Sequence, residues 1–139
     1  MPYRLGRLID HIGLRVNDYP AARAIWLALF EALGLGDAVE EDPDEGLNLD
    51  ELYIGPARAG GPVSRGLHIC LQASNREAVQ RAHAAALAAG ARNNGAPGLR
   101  SYHEGYYAAF LLDAEGNNIE IKYDEQATAR TAGFIEVTP

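Results

Sequence analysis

The tetrapeptide His11-Ile12-Gly13-Leu14 returns as His68-Ile69-Cys70-Leu71, and each copy leads from a strand-like stretch into a helical one. Around the first copy, residues 7–16 alternate. Leu8, Asp10, Ile12 and Leu14 fall on one parity, and Ile9, His11, Gly13 and Arg15 on the other, the pattern of a strand with two unlike faces. The His11 face is the less apolar, which suits the lining of a cavity better than a dry core. The echo implies a chain built twice from one plan, with a histidine at the equivalent place in each half.

Working outward, Asn17-Asp18 supply a helix cap and Pro20 sits in the first turn. Ala22, Ile25, Trp26, Leu29, Phe30 and Leu33 keep the 3-4 spacing of a buried stripe, with Trp26 read as helix-to-sheet packing; Gly34 and Gly36 stop the helix. Residues 37–42 are expected to form a short acidic strand, 42–46 a turn, and 47–55 the next strand material. Residues 55–65, with Pro56, Gly60, Gly61 and Pro62, read as the linker between halves. Residues 67–73 form the second long strand. Ser74-Asn75 cap a helix over 76–89, with Glu77 three residues after Ser74 as in a capping box. Residues 93–98 read as a loop, 106–112 as a strand, 113–118 as a hairpin turn and 119–123 as the closing strand. Residues 124–139 read as a tail in which 134–137 add an edge strand. One strand–helix–strands module cannot bury both faces of its sheet; two together can.

The 139 residues suit one compact domain. The longest run of low polarity, residues 84–91, falls far short of the ~20 residues of a membrane span. Residues 1–10 show no apolar core of a signal peptide, and the single cysteine, Cys70, rules out an internal disulfide and fits a reducing compartment. A cytoplasmic protein is expected. The net charge of −7 disfavours nucleic acid, whose binders need a basic footprint.

His11, His68 and Glu120, the last in the closing strand, are the raw material of a divalent metal site. Two neutral imidazoles give lone pairs without charge, so with one carboxylate the site keeps net positive charge and attracts substrate oxygens. Three protein donors also leave open coordination positions, as catalysis requires. Elsewhere, His83 reads as an exposed mid-helix residue. His103 lies in the loop Arg100-Ser101-Tyr102-His103-Glu104-Gly105, either in a pocket or in a plain turn. Tyr106 and Tyr107 face opposite sides of their strand, so one looks into the cavity. Cys70 shares the parity of His68, yet reads more readily as a small buried residue.

The order strand–helix–three strands, twice, with His11 and His68 opening the modules and Glu120 in the last strand, resembles the vicinal oxygen chelate superfamily. That group includes glyoxalase I, bleomycin-resistance proteins, fosfomycin-resistance thiol transferases, methylmalonyl-CoA epimerase and extradiol dioxygenases. Asp10-His11-Ile12-Gly13-Leu14 and the segment from Gly105-Tyr106-Tyr107 to Asn118-Ile119-Glu120 carry the likeness. The resemblance implies an α+β fold of two βαβββ modules forming an open half-barrel, the glyoxalase/bleomycin resistance/dihydroxybiphenyl dioxygenase-like fold. One glyoxalase-like domain would span 1–123, with module 1 about 6–55, linker 56–65, module 2 about 66–123, and a tail over 124–139. His11, His68 and Glu120 would bind a divalent ion (Fe, Mn, Ni, Co or Zn) on the concave face. Glyoxalase I uses a fourth ligand from the last strand of the first module, where Glu51 and Tyr53 share a face: if Glu51 faces the metal the ligand is present, and if Tyr53 does it is missing and the likeness to glyoxalase I weakens. Glu51, if it points inward, is also the candidate general base. Tyr53, His103, Tyr106 and Tyr107 are the candidate substrate contacts. The implied function is metal-dependent lyase, isomerase or oxygenase chemistry on a small oxygen-rich molecule held by the metal. The alternative is metal-free sequestration of an antibiotic, as in bleomycin-resistance proteins. A homodimer is expected, with a small-molecule substrate and neither nucleic acid nor membrane as partner.

Overall fold

The computed structural model describes residues 3–5, 8–128 and 135–138, with side chains over 8–128. The chain runs β1 (Tyr3–Leu5), β2 (Ile12–Val16), α1 (Tyr19–Ala32), β3 (Glu40–Asp42), β4 (Gly46–Leu49), β5 (Leu52–Pro56), β6 (His68–Gln72), α2 (Arg76–Ala88), β7 (Arg92–Leu99), β8 (Tyr106–Leu112), β9 (Asn118–Asp124) and β10 (Ile135–Val137). Two four-stranded sheets share one strand order, β2-β5-β4-β3 and β6-β9-β8-β7, with the first and last strands of each module paired in parallel. The repeat read from His11 and His68 is therefore a structural repeat, and the fold is α+β with two βαβββ modules.

Alternation builds the core. In β2, Leu14 and Val16 are buried while Gly13 and Arg15 are exposed; in β6, Ile69 and Leu71 turn inward while His68, Cys70 and Gln72 are exposed. The inward faces pack on the helices. Ala22, Ile25, Trp26, Leu29 and Phe30 line α1, and Ala78, Val79, Ala82 and Ala86 line α2, in one continuous cluster. The helices pack on each other, so the two sheets share a core through them. Trp26 is fully buried as expected, and its indole N–H has no partner among the described residues. The opposite face of each sheet is left open.

The local chemistry of the helix starts is plain. The Asp18 carboxylate accepts from the Ala21 amide at 3.1 Å, and Pro20 lies in the first turn, where no N–H is needed. In α2 it is Asn75, not Ser74, that caps, accepting from Ala78 at 2.7 Å, so the expected capping box is replaced by an Asn cap.

Four expectations need correction or completion. The first long strand is shorter than residues 7–16: Leu8 is 93% and Ile9 51% exposed, β2 starts at Ile12, and Arg7 lies outside the described residues. Residues 47–55 hold two strands, broken by a turn at Asp50 (φ 47). Residues 93–98 are not a loop but part of edge strand β7, whose register slips at Asn93/Gly95 and Gly95/Gly98. The glycines and Pro97 that signalled a loop are tolerated because an edge strand with bulges needs fewer ladder bonds. The expected edge strand at 134–137 is present as β10, antiparallel to β1; Phe134 lies outside the described residues.

The connection from β5 to β6 is pinned to both modules. Ser64 exchanges bonds with Arg15, the Ser64 amide donating to the Arg15 carbonyl and the Arg15 amide to Ser64 Oγ. Buried Asn117, in the β8–β9 turn, donates to the Ser64 carbonyl at 2.8 Å and accepts from the Leu67 amide at 3.0 Å. Glu115, in the same turn, accepts from the Asn17 amide at 2.7 Å.

Candidate functional site

Register places the polar groups of the second module on one face. Cys70 lies opposite Glu120 and Gln72 opposite Lys122 across β6–β9, while Phe110 lies opposite Glu120 and Tyr106 opposite Asp124 across β8–β9. Because side chains alternate, His68, Glu120, Tyr106 and Phe110 all stand on the open face. Ile119, Ile121 and Leu111 point the other way into the core.

At the centre is a histidine–carboxylate pair. His68 Nε2 stands 3.1 Å from Glu120 Oε1, and its Nδ1 stands 3.1 Å from the Asn118 carbonyl. A carbonyl only accepts, so Nδ1 carries a proton. In a neutral ring Nε2 then presents a lone pair to a carboxylate oxygen. That contact is repulsive unless a second ring proton or a cation lies between them. The Glu120 side chain is 4% exposed and that of His68 50%. Tyr106 donates its hydroxyl to Glu120 Oε2. Burial, and then the Glu120 carboxylate, push the Tyr106 phenol well above its usual range, so it remains a donor. Phe110 stacks beside His68, ring centroids 6.3 Å apart.

Around this pair, His103 Nε2 lies 2.8 Å from Asp124 Oδ2, and its ring meets the Tyr106 ring edge-on. Lys122 Nζ sits 4.3 Å from the centroid of the Tyr106 ring and 3.2 Å from Asp124. The His103 hydrogen bond, more than any other contact, holds the Asp124 carboxyl down at about 2. His103 thus adjoins the site through a fixed carboxylate partner.

The other candidates fall as follows. His11 lies just before β2, its side chain 73% exposed, with Nδ1 2.6 Å from Asp10 Oδ1. The structure does not bring it to His68 and Glu120 within one protomer: among the described residues no three His, Cys, Asp or Glu side chains are grouped to hold an ion. Tyr53 pairs with Gly13 on the open face of the first sheet. Its hydroxyl donates to the Glu45 carbonyl and accepts from Arg15 at 3.2 Å. Glu51 lies in the turn before β5, exposed, and borders a cleft with Cys70 and Gln72. Tyr107 is turned away: it is buried on the helix side, where its hydroxyl accepts from Gln80 at 2.9 Å. Tyr106 is the tyrosine that faces the open side.

Two neighbouring residues depart from expectation. Cys70 is exposed on the open face, not buried; desolvation of its thiol, then the Glu120 charge, push it up to about 12, so it is a protonated thiol at neutral pH. His83 is buried rather than exposed, donating from Nε2 to Asn93 Oδ1 at 3.1 Å and the Phe110 carbonyl at 3.2 Å. It fastens α2 to the bulged strand. Phe110, Lys122 and Asp124 also belong to the site and escape a reading of the sequence alone, although the parity of Glu120 and its pairing with β8 point to them.

The donor set fits half of a metal centre. Two donors each about 2.0–2.1 Å from one small divalent ion stand roughly 3–3.5 Å from each other, and His68 and Glu120 meet that spacing. The Nδ1–H bond to a backbone carbonyl is also how metal-bound histidines are oriented.

The sequence matches no protein-family model and no curated protein. Solved structures match the fold. A glyoxalase/bleomycin resistance protein from Albidiferax ferrireducens T118 is 24% identical, over 81% of this chain and 94% of that one, with TM-score 0.64. A glyoxalase/bleomycin resistance protein/dioxygenase family enzyme from Burkholderia phytofirmans PsJN is 22% identical, over 84% and 98%, with TM-score 0.62. A lactoylglutathione lyase from Agrobacterium tumefaciens is 17% identical, over 86% and 96%, with TM-score 0.58. The chain therefore has the glyoxalase/bleomycin resistance/dioxygenase fold, as the resemblance to the vicinal oxygen chelate superfamily implied. Among the described residues no helix is long and apolar enough to cross a membrane.

Proposed function

We propose that this protein is a divalent-metal-dependent enzyme, of lyase, isomerase or oxygenase type, acting on a small oxygen-rich substrate at the open face of the second sheet. The observation that carries the reading is His68: with Nδ1 committed to the Asn118 carbonyl, its Nε2 lone pair and the shielded Glu120 carboxylate converge on one point. A cation there resolves the repulsion. His68 and Glu120 would hold the ion, and His11 of the partner subunit would complete the set in a homodimer. His11 suits that role because Asp10 engages its Nδ1 and its side chain lies open to solvent.

Bound, the ion supplies Lewis acidity to adjacent substrate oxygens. The chain's own groups do the rest. Tyr106 holds Glu120 in place and stays protonated. Phe110 walls the His68 ring. His103, bonded to Asp124 and edge-on to the Tyr106 ring, would be a group that hydrogen-bonds substrate. Glu51, exposed beside the cleft, is the candidate proton acceptor.

The test is metal content after loading with zinc or manganese and exhaustive dialysis. One ion per protomer is expected in the wild type. His68→Ala should weaken binding by more than the roughly 10–100-fold typical of outer-sphere changes. A wild type that retains no ion under any loading condition would sink the reading and leave metal-free sequestration.

A further inference from the structure

We propose that Arg100 is the anchor for a carboxylate group of the substrate. The assignment rests on the metal-dependent function proposed for the open face and deepens it by naming the substrate class: an organic carboxylate.

Arg100 follows β7, and its amide donates to the Tyr106 carbonyl at 2.8 Å. Its guanidinium lies over the Phe110 ring, Cζ 5.3 Å from the centroid, and Phe110 is the ring that stacks beside His68. Guanidinium and imidazole thus both lie beside the Phe110 ring, and the imidazole in turn meets Glu120. The backbone is shaped for this. A Cβ at Gly95 would stand 3.2 Å from Nη2 and 3.1 Å from Phe110 Cδ2, and one at Gly98 3.2 Å from Nη1. Two bare glycines on the bulged strand leave room for the guanidinium to lie flat.

Arg23, Arg65 and Arg76 pair with Glu41, Glu115 and Glu125, while among the described residues no carboxylate pairs with Arg100. Its hydrogen bond runs from Nη2 to the Ala96 carbonyl at 2.6 Å, which leaves donors of the five-donor fork for an anion. A planar carboxylate matches that fork in two parallel bonds. Lys122, the nearby second cation, is held by Asp124. One guanidinium with no paired carboxylate among the described residues suits a monoanionic carboxylate better than a dianionic phosphate.

The test uses the full-length protein stripped of metal and titrated with benzoate, and in parallel with inorganic phosphate, while the Arg100 Nε–H resonance is followed by NMR. Saturable benzoate binding that moves this resonance is expected, tighter than phosphate, and weaker by about tenfold or more in Arg100→Gln. Should Arg100→Gln fail to fold, Arg100→Lys takes its place: it keeps the charge but loses the fork, and weaker binding is expected. No saturable benzoate binding, equal binding in the variant, or phosphate binding tighter than benzoate would overturn the assignment. Metal is absent from this assay and Arg100 is untouched in the metal-content assay, so the two readings fail separately.

Discussion

Glu120 concentrates the electrostatics of the open face. Its carboxylate is nearly out of water, with His68 on one oxygen and the Tyr106 hydroxyl on the other. Tyr106→Phe removes one of these partners and leaves an acceptor of a shielded charge unmet. The expected loss is about 1.5–3 kcal/mol of stability at neutral pH, read by urea denaturation; an unchanged midpoint would mean that solvent replaces the hydroxyl. Asp124 makes a second, pH-dependent prediction. Its folded carboxyl is held at about 2, below the ordinary 3.8, first by His103. The stability it contributes is full above 3.8 and is lost as pH falls through about 2. In His103→Ala the carboxyl resonance of Asp124 should titrate higher, toward 3.8; an unmoved titration by carbon NMR would contradict the assigned cause. At this scale the sequence is informative where position along a strand decides the outcome. The repeat and the strand parity put His68 and Glu120 on one face and leave open which of Tyr106 and Tyr107 joins them. They do not show that Cys70 stays exposed, because that depends on what covers the face. His83 sits on the stripe that Val79, Ala82 and Ala86 mark, yet a lone histidine among alanines reads as a surface residue until the partners Asn93 and Phe110 are in place.

The elements are legible wherever period and caps agree. Helices α1 and α2 fall within a residue or so of expectation, since Asp18 and Asn75 cap them and the 3-4 stripes persist to their ends. Strand β7 is not legible: its glycines and Pro97 are local turn signals, and only pairing with β8 makes the segment extended. The split of residues 47–55 into β4 and β5 depends on Asp50 taking φ 47, which its sequence neighbours do not announce. The hairpin so formed carries a close approach that can be tested. Gly46 adopts φ 130, and a Cβ there would stand 2.2 Å from the Ile54 carbonyl oxygen. Gly46→Ala should cost more than about 2 kcal/mol, seen as a lower thermal midpoint. A midpoint equal to wild type would show that β4 can shift away from β5.

As a whole, the molecule is two copies of one module joined by their helices and by the ties through Ser64, Asn117 and Glu115. Each sheet turns one face to the common core and keeps the other open. The architecture is readable because a repeat of this length leaves few ways to bury two sheets. The full metal triad is not: within one protomer no three His, Cys, Asp or Glu side chains are grouped among the described residues, and alternation and capping do not encode how two copies would meet. In the proposed homodimer each ion would be held by His68 and Glu120 of one protomer and His11 of its partner. The direct measurement is metal content after complementation. His11→Ala and His68→Ala proteins, each expected to be metal-free, are unfolded together, refolded as a mixture, loaded and dialysed. Random pairing in a two-fold dimer restores one intact site in each mixed dimer, so the mixture should recover about one quarter of the wild-type metal. Recovery of none, with mixed dimers shown to be present, would contradict the shared site.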